Sequence, residues 1–252
     1  MKDKMQKLYG LIGFPLEHSF SKGYFTEKFK NNNLSNCRYE NFPIKSIGEL
    51  KNIIETNPDL IGLNVTIPYK ISILDHLDEL DKNAKTIQSV NTIKIIRENK
   101  IKLIGYNTDI IGLTMALKPQ LRPIHNRALI LGNGGSSKAV QFVLKSLGIG
   151  FLIVTRNPKK ENEISYAQLN ENHIRFHHLI INTTPLGMWP KVEKFPEINY
   201  ESISNDHLLF DLIYNPEMTV FLQKGKEKGA MISNGLSMLH QQAEASWQIW
   251  NK

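Results

Sequence analysis

The sequence predicts an α/β protein of two domains, the second built on a parallel sheet. Three observations carry that expectation. Short apolar runs alternate with helical periodicity along the chain, the pattern of strands linked by helices. After Arg127 the runs "ALIL", "FLIVTR", "HLIINTT" and "LLFDLIY" become almost wholly apolar, as strands covered on both faces by crossover helices must be. The first of these runs stops at three glycines, in "LILGNGGSSKAV", and a helical pattern follows at once.

The elements follow in order. "LYGLIG" (8–13) reads as a strand, and a helix started by a serine cap covers 19–31. "CRYENFPI" is a second strand, after which Ser46 caps a helix reaching about Thr56. "LIGLNVTIP" is a third strand, closed by Pro68, and "ISILDHLDEL" is helical. "VNTIKIIRENKIKLIGYNTD" differs: two strand-like runs around "ENK" make an antiparallel hairpin. A helix from about Ile110 to Leu117 is followed by Pro119 and Pro123. The second unit then alternates strands with turns or helices, and "LSMLHQQAEASWQIW" is one amphipathic helix. The boundary falls beside Asp109. One domain is expected from residues 1–108 plus 236–252, with the last helix returning to it, and the other from 109–235.

Composition narrows the function classes. A chain of 252 residues with 41% hydrophobic and 22% charged residues can bury a real core. No apolar run approaches the roughly 18 residues a membrane helix needs, and the apolar run in "MKDKMQKLYGLIG" is too short for a signal peptide. Cys37 is the single cysteine, so no internal disulfide is possible and a reducing, cytoplasmic setting is expected. The net charge of +7 suits anionic partners. The lysines are scattered and not interleaved with aromatics, so a small anionic molecule is expected, with no nucleic acid and no membrane. His177 and His178 lack further ligands at metal spacing, and no metal is expected.

The glycine turn carries the first chemistry. Gly132, Gly134 and Gly135 lie between a buried strand and a helix over Ser136–Leu147. That order is the context of the dinucleotide fingerprint, and it makes the second domain Rossmann-type. Unpaired N–H groups and the positive dipole end at the helix start hold a pyrophosphate, and glycine lets it approach the backbone. Ser137, a small residue, stands where the fingerprint has its third glycine. About 20 residues on, an NAD site places an acid for the ribose 2′-hydroxyl. Here that strand ends in Arg156, with Lys159 and Lys160 close by. A guanidinium binds a 2′-phosphate in a fork, so the expected cofactor is NADP.

In the first half, polar residues gather at strand ends: Ser19 and Ser21, then Asn64, Thr66 and Lys70, then Asn91, then Asn107 and Asp109. Ligands bind outside the carboxyl ends of strands in open α/β sheets. These segments, "HSFS", "NVTIPYK", Asn91-Thr92 and "NTDIIG", with "GNGGSSKA", "NTTPLGM", "DLIYNP" and "NGLSMLHQQA", resemble in this order the motifs of the shikimate dehydrogenase family. The resemblance spans about residues 8–250.

The resemblance implies a two-domain enzyme that reduces 3-dehydroshikimate with NADPH. It implies that Ser19 and Ser21 bind the substrate carboxylate, and that Thr66, Asn91 and Gln242 contact ring substituents. Asn64 and Tyr214 would lie nearer the edge of the site. Lys70 and Asp109 would be the catalytic pair. The glycine loop from Gly132 to Ser137, including Asn133 and Ser136, would hold the cofactor with Thr155, Arg156, Asn157, Lys160, Thr183, Leu212 and Gly235. Three departures stand out: Lys22 where the family often has proline, Asn133 where it usually has alanine, and "TRN" for the usual "NRT".

The reaction needs these residue types. Hydride addition to a ketone builds negative charge on the oxygen, which a proton donor or cation must meet. Lysine can do either. An adjacent aspartate would hold the ammonium and favour its charged form, against the shift a general acid needs. Lys70 is therefore the essential group and Asp109 its orienter, and the residues leave open which passes the proton. Ser19 and Ser21 could otherwise simply cap a helix, Asp109 could be an N-cap, and His18 reads as a turn or packing residue. Two alternatives stand at this point: a quinate/shikimate dehydrogenase using NAD, and a non-catalytic module sensing NADP. Either a monomer or a homodimer fits.

Overall fold

The computed structural model describes residues 5–17 and 19–252, so His18 lies outside the described residues. Contacts divide the chain into two units, Met1–Thr108 with Ala243–Lys252 and Asp109–Gln242.

The first unit runs β1 (Lys7–Gly13), α1 (Phe20–Asn31), β2 (Cys37–Pro43), a 3-10 turn (Ile47–Glu49) into α2 (Leu50–Thr56), then β3 (Leu60–Val65). A second 3-10 turn (Ser72–His76) precedes β4 (Glu79–Leu80), α3 (Lys82–Ile87), β5 (Thr92–Arg97) and β6 (Ile101–Tyr106). The six strands form one sheet in the order β2-β1-β3-β5-β6-β4. β1 is parallel to β2 and β3, whereas β5 runs antiparallel to both of its neighbours. Alternation along β1 sends Leu8 and Ile12 into an aliphatic core on one face, and Tyr9 and Leu11 into an aromatic one on the other. The aromatic core includes Phe25, Phe29, Tyr39 and Trp250, from the end of the chain. Gly62 lets that tryptophan lie on β3: a Cβ there would sit 2.4 Å from the indole.

One expected element is different. "ISILDHLDEL" is not an α-helix but a 3-10 turn and a two-residue edge strand. Asp78 accounts for it, because its N–H donates to Leu103 O (3.0 Å) while its carboxylate accepts from Leu103 N (2.7 Å). These bonds stitch the segment to β6 at the cost of helical ones. Asp81 then caps α3, accepting from Asn83 N and Ala84 N.

The second unit runs α4 (Asp109–Leu117), β7 (Arg127–Leu131), α5 (Gly135–Ser146), β8 (Gly150–Val154), β9 (Glu163–Ile164) and α6 (Glu171–Phe176). It continues with β10 (Leu179–Asn182), β11 (Leu208–Asp211), α7 (Val220–Glu227), β12 (Met231–Ser233) and α8 (Leu236–Trp250). Its sheet is parallel throughout, in the order β12-β11-β10-β7-β8-β9. Ala128 to Leu131 of β7 and Leu179 to Ile181 of β10 are fully buried, as a two-sided sheet requires. Strand order reverses between β7 and β10, the switch point where such sheets bind nucleotides. The second boundary falls inside α8, after Gln242, rather than at 235/236 as the sequence suggested.

Candidate functional site

In the first unit, register gathers the expected residues at one edge of the sheet. Ile12 pairs with Val65, Asn64 with Thr92, and Thr92 with Tyr106. Thr66, Asn91 and Asn107 therefore leave the sheet side by side. Thr66 N donates to Ile12 O (3.0 Å), Val65 N to Asn91 O (2.9 Å) and Asn91 N to Tyr106 O (3.1 Å). Val90 N donates to Lys70 O (2.8 Å), which pins the backbone of the half-buried Lys70 beside Asn91.

Ser19 occupies the N-cap position of α1, yet its side chain makes no capping bond. Its hydroxyl oxygen is buried and has no hydrogen-bond partner among the described residues. A buried hydroxyl left unpaired costs about 1–3 kcal/mol. Capping is thus not what this serine does, and a hydroxyl at a positive helix end suits a carboxylate. Ser21 is buried as well and bonds to the Tyr39 hydroxyl, whose acidity burial suppresses.

Beneath that edge lies a network of neutral groups. Tyr39 Oη donates to Asn64 Oδ1 (2.8 Å), and Asn64 Nδ2 donates to Ser246 Oγ (3.0 Å) and Asn91 O (3.3 Å). The hydroxyls of Thr92, Thr108 and Ser246 pack together at 2.8–3.2 Å. Asn91 Oδ1 accepts from Thr108 N (2.7 Å), while Asn91 Nδ2 donates to Thr108 Oγ1 (3.0 Å). Asn64, which the family pattern put nearer the edge of the site, is bonded within the protein on both sides of its amide. It is buried, and it holds up Asn91 from below. Sequence reasoning assigned no role to Tyr39, Thr92, Thr108 or Ser246. Thr92 and Thr108 stood inside the quoted Asn91-Thr92 and "NTDIIG" segments, and Ser246 stands one turn beyond Gln242 on α8.

In the second unit, Asp109 is buried at the first residue of α4, and Gln242 is buried with its amide donating to Leu239 O (3.1 Å). β7 ends at Gly132, whose φ of +102° only glycine adopts readily. A Cβ there would lie 2.9 Å from Thr183 Oγ1, so Gly132 and Thr183 are brought together. Gly235 and Leu212 are also neighbours, since a Cβ on Gly235 would meet Leu212 O at 2.2 Å. Tyr214 is half-buried nearby in sequence, and burial raises its pKa. Thr155 N donates to Ile164 O (2.8 Å), while Arg156, Asn157, Lys159 and Lys160 are exposed.

The loop fits the expected dinucleotide. Gly134 is the N-cap of α5 and offers no side-chain cap. A Cβ on Gly134 or Gly135 would meet nothing within 4 Å, so space lies open above the backbone where phosphate oxygens would sit. Ser137 is fully buried, as the close helix–strand packing of a third glycine position demands. Asn133 differs from expectation in its side chain, which donates to Glu163 Oε1 (3.0 Å). Among the described residues no group of three or more His, Cys, Asp or Glu could hold a metal ion, and no helix is long and apolar enough to cross a membrane.

Comparison with known proteins agrees with this geometry. A family model described as the shikimate dehydrogenase substrate binding domain matches residues 11–93. The NADP-dependent shikimate dehydrogenase of Methanococcus aeolicus is 39% identical over 99% of this chain and 94% of its own. That of Methanococcus maripaludis is 42% identical over 99% and 93%. The crystal structure of shikimate 5-dehydrogenase from Thermus thermophilus in complex with NADP(H) and shikimate superposes with a TM-score of 0.85. It is 28% identical, over 97% of this chain and 93% of that one. Kinship at this level over nearly the full length leads to one conclusion: this chain belongs to the shikimate dehydrogenase family.

Proposed function

We propose that this chain catalyses the reversible, NADPH-dependent reduction of 3-dehydroshikimate to shikimate, a step of aromatic amino-acid biosynthesis. The observation that carries the reading is the buried, unpartnered Ser19 hydroxyl at the start of α1, on the same sheet edge as Lys70 and Asn91. Ser19 and Ser21 bind the substrate carboxylate. Thr66, Asn91 and Gln242 bind the ring hydroxyls and fix which carbon reacts. Lys70 meets the carbonyl oxygen, stabilises its charge in the transition state and lies on the route of its proton. Asp109 orients that ammonium.

Gly132 to Ser137 would hold the cofactor pyrophosphate, and Arg156 with Lys160 its 2′-phosphate. Thr183, Leu212 and Gly235 would frame the rest of the dinucleotide. The cofactor, when bound, supplies the hydride. The enzyme works in the cytoplasm, as a monomer or homodimer, in keeping with its single cysteine.

The test is a spectrophotometric one. Purified protein with shikimate and NADP+ should gain absorbance at 340 nm, faster than with quinate and faster than with NAD+. No turnover with any pair would make the chain a cofactor-binding module. A preference for quinate and NAD+ would move it to the alternative chemistry.

A further inference from the structure

The loop joining β8 to β9 carries Arg156, Lys159 and Lys160, all exposed. Exposed cations on a loop bind a phosphate well only if the loop is held in place, because ordering it costs conformational entropy. One residue grips it. Glu163, the first residue of β9, is 6% exposed. Its N–H donates to Lys160 O (3.0 Å), and its carboxylate Oε2 accepts from Lys159 N (2.7 Å). Its other oxygen, Oε1, accepts from Asn133 Nδ2 (3.0 Å) in the glycine loop. A buried carboxylate so close to a phosphate-binding loop would be a liability unless its oxygens were occupied. Here each oxygen receives a donor, and the two donors come from the two loops of the expected cofactor site.

We infer that Glu163 is a positioning residue that ties the glycine loop to the basic loop and thereby sets affinity for the 2′-phosphate of the cofactor. The inference rests on the proposed NADP reading. It also gives Asn133 a role: the amide departs from the family's alanine and supplies the donor this bridge needs. Glu163 itself does not touch the phosphate. It holds the backbone of Lys159 and Lys160 where their side chains can reach it.

Calorimetric titration of the intact protein with adenosine 2′,5′-bisphosphate and with adenosine 5′-monophosphate separates the possibilities. Wild type should bind the bisphosphate more tightly. Glu163→Ala should weaken the bisphosphate roughly tenfold, the scale of one lost hydrogen bond to a charged group, and leave the monophosphate within about twofold. Glu163→Gln should restore most of that loss, since its amide can accept from Lys159 N once Asn133 turns over. Asn133→Ala should show the same selective loss at about threefold, which keeps the test open if Glu163→Ala misfolds. Unchanged bisphosphate binding in both alanine variants, an equal loss of both nucleotides, or tighter bisphosphate binding would overturn the bridge. Wild type without any preference would instead sink the NADP reading, and this inference with it.

Discussion

The two units build their binding edges from opposite materials. In the first, the edge is made of side chains, and neutral amides and hydroxyls from β2, β3, β5, α8 and the segment after β6 hold it from below. In the second, the edge is mostly backbone: a glycine at positive φ, an uncapped helix start, and strand ends whose carbonyls and N–H groups are fixed by the sheet. Carboxylates join neutral groups in bracing it. Glu163 ties two loops, and Asp211 accepts from Thr219 Oγ1 (2.7 Å), Asn182 Nδ2 (3.0 Å) and Ile213 N (3.0 Å). A small, highly substituted ring needs side chains at fixed points. A pyrophosphate needs an aligned backbone and room to approach it.

If the contrast holds, the two edges can be damaged separately. Replacing Ser19 and Ser21 together by alanine should raise the KM for shikimate roughly a hundredfold, the loss of two hydrogen bonds to a carboxylate. The KM for NADP+ should stay within about twofold in steady-state kinetics. A matching rise in both constants would break the comparison. Arg156→Ala should do the reverse, lowering the NADP+ over NAD+ ratio of kcat/KM on the order of tenfold and leaving shikimate alone. Gly132→Ala acts on the fold as well as on the site. A residue with a Cβ at φ +102° and 2.9 Å from Thr183 costs about 1–3 kcal/mol, visible as a lower Tm.

The same contrast explains what the sequence disclosed. The glycine turn was legible because backbone geometry leaves a trace in residue type: only glycine serves at Gly132, and only a small residue fits at the buried Ser137. The parallel sheet was legible from its uniformly apolar strands. The first edge was not legible from physics. Ser19 reads as an ordinary cap until its hydroxyl is seen to be unpartnered among the described residues, and the network that holds Asn64 leaves no local pattern. Only the family resemblance pointed to that edge. Two-residue elements such as β4 and β9 are set by long-range pairing, which local periodicity does not encode.

The smallest effect is on pH dependence on the acid side, where the groups with shifted pKa among the described residues lie in the second unit. Burial, the leading cause, lowers the pKa of His125, His177 and His207 from the usual 6.5. Their folded state resists protonation, so stability is full above about pH 6.5 and falls as the pH drops through the lowered values. Burial pushes Asp211 the other way, from 3.8 to about 6. Its stabilising balance is full below 3.8 and is lost as the pH rises through about 6. Asp211 therefore offsets part of the histidine loss on acidification. Asp211→Asn should steepen the fall of Tm between about pH 6.5 and 4. An unchanged slope would show that the carboxylate is not held protonated there.

The central proposal is that Lys70, on the first unit's edge, stabilises the charge that builds on the ketone oxygen. The most direct test compares Lys70→Ala with wild type in two measurements, kcat for NADP+ reduction by shikimate and the equilibrium Kd for shikimate. The account predicts kcat lowered on the order of 10²–10⁴-fold, with Kd changed far less. Near-normal turnover in the variant, or a loss confined to Kd, would contradict it.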